Sequence, residues 1–128
     1  MKVKQVILIR RDLKMRRGKE VAQGSHASLA FLVNPLREQL AAESLSLNLD
    51  APTRQWIEVG MAKICLRVES EEQLVQCHQA ALAAGLKSHL IRDSGRTEFG
   101  GVPTLTACAI GPDDGERIDA ITGELTLY

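Results

Sequence analysis

Six cations and one anion crowd into residues 10–19: Arg10, Arg11, Lys14, Arg16, Arg17 and Lys19, with Asp12. The cluster follows an apolar run, Val6-Ile7-Leu8-Ile9, and leads through Gly18-Lys19-Glu20 into a helix-forming segment. A strand that empties through a basic, glycine-containing turn into a helix N-terminus is a place to hold an anion. The helix end offers unpaired N–H groups and partial positive charge, and the Lys and Arg side chains add full charges. A phosphate and a reaction oxyanion fit such a site equally well. Lys19, just past Gly18, is placed to bring its ammonium to either. The plain alternative is a solvated basic surface.

A second group stands far along the chain: Asp93, Gly95, Arg96 and Thr97, within the polar stretch 92–103. A carboxylate immediately after a strand of an α/β domain is well placed for a cleft, where it can orient a water or hold Lys19. A turn-forming aspartate is the competing reading. Thr97 and Thr106 are candidates for hydrogen bonds to a substrate. His26, about two helical turns beyond Lys19, is a candidate acid–base group or a structural histidine. His78 and His89 show no metal-ligand spacing with any Cys or carboxylate, so no metal is expected. Neither a GxxxxGK[ST] phosphate loop nor a GxSxG nucleophile elbow occurs.

A length of 128 residues suits one domain, large enough for a substantial core. Hydrophobic residues make up 45% and charged residues 25%, as in an ordinary soluble globular chain. The formal net charge is zero, so any nucleic-acid contact must come from a local basic patch. Two Phe, one Trp and one Tyr are too few for base stacking to be a main binding mode, which leaves phosphate contacts. No apolar run approaches the roughly 20 residues of a membrane helix. The first ten residues read as a strand rather than a signal peptide, and the cytosol is the expected location. Cys65, Cys77 and Cys108 are odd in number and far apart, and buried free thiols are expected.

The hydrophobic pattern predicts strands over 2–10, 62–68, 86–91 and 105–110. Helices are expected over 19–33, ended by Asn34-Pro35, and over 36–44. Three more are expected: 54–59 with Thr53 as cap and Gly60 as stop, 70–84 stopped by Gly85, and 111–121 ended by Gly123. Residues 125–128 form an extended tail. Trp56 is expected to pack. The order of elements suggests a single three-layer α/β domain over 1–128, with a mixed four-stranded sheet flanked by helices on both faces.

Four blocks of the chain resemble the type II peptidyl-tRNA hydrolase family, the kind typical of archaea and eukaryotes. They are Asp12-Leu13-Lys14-Met15-x-x-Gly18-Lys19 continuing to Ala22-Gln23-x-x-His26-Ala27; Trp56 to Gly60 with the Lys63 strand; Asp93-x-Gly95-Arg96-Thr97; and Ile110-Gly111-Pro112 with Asp119-x-Ile121-Thr122-Gly123-x-Leu125-x-Leu127-Tyr128. The resemblance covers essentially the whole chain. It implies hydrolysis of the ester joining a peptide to the 3′ ribose of tRNA, without metal or organic cofactor, often by a homodimer. Carried over residue by residue, it puts catalytic roles on Lys19, Asp93, Thr97 and Thr106. It puts tRNA contacts on Lys14, Arg16 and Arg17, and Gly18, His26 and Arg96 complete the expected binding set. The chain departs from the family's usual pattern at Ser94, Glu98, Met61, Val21 and the segment 99–103. Two other readings stand beside a working hydrolase: a catalytically weak relative that binds tRNA or a protein, and a hydrolase turned to another acyl or nucleotide ester.

Overall fold

The computed structural model describes residues 2–128. Its frame is a sheet of four strands, β1 (Val3–Arg10), β2 (Lys63–Val68), β3 (Ser88–Asp93) and β4 (Thr104–Asp114). They lie in the order β2-β1-β4-β3. β1 pairs in parallel with β2 and antiparallel with β4, and β4 pairs antiparallel with β3, so the sheet is mixed. The C-terminal ends of β1, β2 and β3 therefore share one edge with the start of β4.

Strand alternation divides the core in two. Val6 and Leu8 point to the face covered by α3 (Glu71–Ala83) and α4 (Gly115–Thr122), packing with Leu66, Val68, Leu74 and Ile118. Ile9, Ala107 and Ala109 pack on the other face against Ala27 of α1 (Arg17–Arg37). α2 (Ala51–Val59) sits on that same side, where its Trp56 meets Phe31 of α1 edge to face at 6.0 Å. Trp56 is buried as expected, and its indole N–H donates to the Ala62 carbonyl at 2.8 Å. The expected three layers are present.

Several boundaries differ from the sequence reading. α1 does not stop at Asn34-Pro35 but runs to Arg37 with Pro35 in its last turn. A proline there removes one helical hydrogen bond near an end that is already leaving the core. No separate helix covers 36–44: residues 36 and 37 end α1 and the rest is turn and loop. Instead the Gln39 side chain bridges the loop, donating to the Ser46 carbonyl and accepting from the Ser46 N–H, both at 2.9 Å. α2 begins earlier than expected because Asp50, not Thr53, is its cap: the carboxylate accepts the Thr53 N–H at 2.9 Å. Gly60 ends α2 in the left-handed region, at φ 115°. β4 extends through Gly111-Pro112 to Asp114, and α4 starts only at Gly115.

The tail lies along β2, where Leu127 bridges to Leu66 and the Tyr128 N–H donates to the Cys65 carbonyl at 3.1 Å. The three thiols are free, but only Cys108 is buried; Cys77 is half-buried and Cys65 is exposed on edge strand β2.

Candidate active site

The shared sheet edge and the first turns of α1 bring the two polar clusters together. Lys19 is in the first turn of α1, and Asp93 is the last residue of β3 rather than the first after it. The Lys19 Nζ lies 2.8 Å from Asp93 Oδ1 and donates to Thr97 Oγ1 at 2.9 Å. Both charged side chains are largely withdrawn from solvent, at 16% and 11% exposure. The other Asp93 oxygen accepts the Gly95 N–H at 2.9 Å. The Lys19 ammonium, followed by the Gly95 amide, holds the Asp93 carboxyl below its ordinary 3.8 against the opposing effect of burial. The nearby His26 adds a smaller push in the same direction. Asp93 is therefore a carboxylate at neutral pH, and its Lys19 neighbour is its counter-charge.

Thr106 does not touch this pair. It connects to it through Gln23, a buried residue that the sequence reading gave no role. The Thr106 hydroxyl donates to Gln23 Oε1, and the Gln23 amide points its Nε2 toward Asp93 Oδ1 at 3.4 Å. A β-bulge makes this possible. Ile91 pairs with Ala107 and Arg92 with Leu105, so Thr106 is the extra residue in β4. Leu105 then packs on the α3 and α4 face while Ala107, two residues on, packs on the α1 face. The broken alternation turns the Thr106 hydroxyl to Gln23. A sequence signal for Gln23 did exist: it stands one helical turn after Lys19, on the same face.

The remaining expected residues spread around this cluster. Arg16 caps α1 with no side-chain hydrogen bond, and Arg17 is the first helical residue. Both are exposed, as are Lys14 and Gly18. Nothing stands within 4 Å of where a Gly18 Cβ would be, so no close backbone approach requires glycine there. Arg96 is exposed beside Thr97 in the loop. His26 is exposed on α1 and shares a groove wall with Gln23 and Asp93.

Arg10 leaves the expected solvated cation cluster altogether. Buried at the end of β1, it holds both Asp12 oxygens, at 3.1 and 2.6 Å, and donates to the Leu105 carbonyl at 3.0 Å. The basic patch is thus Lys14, Arg16 and Arg17 around an open helix start, with Arg11 near Glu69 at 3.9 Å. Among the described residues, no group of three His, Cys, Asp or Glu side chains is arranged to hold a metal ion. Nor is any helix long and apolar enough to cross a membrane.

Fold and cluster together define an α/β protein with a Lys–Asp–Thr constellation at one sheet edge, beside a basic helix N-terminus. A family model described as Peptidyl-tRNA hydrolase PTH2 matches residues 3–128, and the chain belongs to that family. It is 41% identical to a peptidyl-tRNA hydrolase of Methanopyrus kandleri over 124 residues, 97% of each chain. It is 37% identical to one of Methanothermobacter thermautotrophicus over 125 residues, covering 98% of this chain and 99% of the relative. A probable peptidyl-tRNA hydrolase 2 of Dictyostelium discoideum is 39% identical over 127 residues, 54% of its own length.

Proposed function

We propose that the chain hydrolyses the ester between a peptide, or an N-blocked amino acid, and tRNA, and that residues 1–128 act as one catalytic domain in the cytoplasm. The observation that carries the reading is the Lys19 ammonium, 2.8 Å from Asp93 and 2.9 Å from Thr97 across 74 and 78 residues of sequence. Membership of the family supplies the substrate class.

An acyl ester is already activated, so the protein need only place a water and stabilise the tetrahedral oxyanion. In this reading Lys19 donates to the carbonyl oxygen as its negative charge grows. Asp93 holds the lysine and orients the attacking water, and Thr97 fixes the ester. The water oxygen bonds to the carbonyl carbon, the bond from that carbon to the ribose oxygen breaks, and the proton passes to the ribose oxygen. Thr106 acts one step removed, by setting the Gln23 amide against Asp93. No metal or organic cofactor takes part, and activity is expected to survive chelator treatment of the protein.

The tRNA phosphates meet Lys14, Arg16, Arg17 and Arg96 and the free N–H groups at Gly18, with His26 at the substrate's edge. Binding that rests on such contacts weakens steeply with salt. A homodimer is part of the proposal. The support for it is the exposed apolar ridge of α1, with Val21 at 65% and Leu29 at 53% exposure.

Release of N-acetyl amino acid from N-acetyl-aminoacyl-tRNA tests the reading, with Lys19→Ala and Asp93→Ala alongside. Each substitution is expected to cost about 10²–10³-fold in kcat with folding intact. A folded wild-type protein that binds tRNA in a salt-sensitive manner but releases nothing would overturn it in favour of a binding module.

A further inference from the structure

The ester of a peptidyl-tRNA joins two chemically opposite halves, and α1 offers opposite surroundings on the two sides of Lys19. Toward its N-terminus lie the exposed cations Arg16 and Arg17. Toward its C-terminus a groove of about 840 Å³ runs between α1 and β3. Asp93 and Gln23 line it, so it is continuous with the Lys19 cluster, and farther along its walls are Ala30, Val33 and Ile91, with Arg37 near the end of α1. No Phe, Tyr or Trp lines the groove, and its ionisable lining is mixed, with Asp93 at the end nearest Lys19 and His26, Arg92 and Arg37 along the walls. Without large rings a stacked nucleotide strand has little to rest on there, whereas Leu29, Ala30, Val33 and Ile91 suit a partly apolar chain.

β3 also forms the outer edge of the sheet. It pairs with β4 on one side, and no strand of the described residues lies on the other. An edge strand presents main-chain N–H and C=O groups that an extended peptide can match without regard to its side chains. From Gln23 to Arg37, α1 rises ~21 Å, the reach of about six extended residues.

We propose that this groove binds the peptide half of the substrate as an extended chain. It leads from the ester at Lys19 along β3 toward Arg37, with apolar side chains resting on Ala30, Val33 and Ile91. The proposal rests on the hydrolase reading and deepens it. It divides the substrate by chemistry, phosphates to the helix start and peptide to the groove.

The test compares N-acetyl-leucyl-tRNA with an N-acetyl-tetrapeptidyl-tRNA of Leu and Ala. For the wild-type protein kcat/KM is expected to be about tenfold higher on the longer substrate, mainly through KM. The gain should level off beyond about six residues. Val33→Glu should drive the long-to-short ratio toward one, and the milder Val33→Thr should lower it partway, with circular dichroism confirming that both fold. A wild-type ratio near one overturns the proposal, as does a ratio that Val33→Glu leaves unchanged. Absence of turnover on both substrates is a different result: it defeats the hydrolase reading itself and the groove assignment with it.

Discussion

Gly95 shows how closely the candidate site depends on single positions. Its φ is +81°, and a Cβ there would lie 2.3 Å from the Val102 carbonyl oxygen, in a loop closed by the Gly101 N–H donating to Gly95 at 3.0 Å. Gly95→Ala must therefore shift the loop that delivers Thr97 to Lys19. It is expected to cost about 1–3 kcal/mol of stability, and activity as well; unaltered denaturation and kinetics would contradict this. Thr106→Val is expected to leave Gln23 Oε1 without its donor and lower kcat by about tenfold, less than Lys19→Ala, with KM nearly unchanged. Equal loss in the two variants would mean that Thr106 touches the ester itself. Lys19 and Asp93 were legible as candidates because a basic helix start and a strand-end carboxylate are local patterns, whereas the catalytic role of Thr97 entered through the family resemblance. Gln23 carried only its spacing, one helical turn after Lys19, and a polar residue in a helix looks solvent-facing until the sheet is placed beneath it. The Thr106 bulge is a property of strand pairing, which the order of residues in β4 does not display.

The same division holds for whole elements. All four strands were readable from their apolar runs, and α3 from its Ser70 cap, whose hydroxyl accepts the Gln73 N–H at 3.0 Å. The start of α2 was missed because both Asp50 and Thr53 are cap residues, and only the tertiary position of Asp50, 2.8 Å from Lys87, distinguishes them. The passage of α1 through Pro35 went unseen because propensity prices the proline without the packing that carries the helix past it. α1 is anchored to β1 by a buried polar pair. Gln5 donates from Nε2 to the Ser28 carbonyl at 3.0 Å and accepts from the Ser28 hydroxyl at 2.6 Å. Ser28→Ala leaves the Gln5 oxygen buried without a partner, an expected loss of about 1–3 kcal/mol in urea unfolding. A change within experimental error would show that this tie does not hold α1 to the sheet.

For the molecule as a whole, the mixed sheet matters because it gathers three strand ends and the start of α1 at one edge, with the open strand β3 beside them. Its far face carries His78, whose Nδ1 lies 2.7 Å from the buried Ser88 hydroxyl, while His89, paired with Ala109, stands on the α1 face of β3. Burial holds both imidazoles below the ordinary 6.5. The unfolded chain then binds more protons than the folded one just below that value, so this stabilisation is complete above pH 6.5 and drains away as pH falls through the folded values. Urea midpoints should decline between pH 7 and pH 5, and His78→Gln should flatten part of that decline; pH-independent midpoints in that window would contradict the assignment. The central claim concerns Lys19 and Asp93 as one unit. A double-mutant cycle on release of N-acetyl amino acid from N-acetyl-aminoacyl-tRNA tests it most directly. If the ammonium works only when the carboxylate holds it, the double variant Lys19→Ala/Asp93→Ala should lose little more activity than either single variant. Losses that simply multiply would mean that the two residues act independently, and the account of the site would fail.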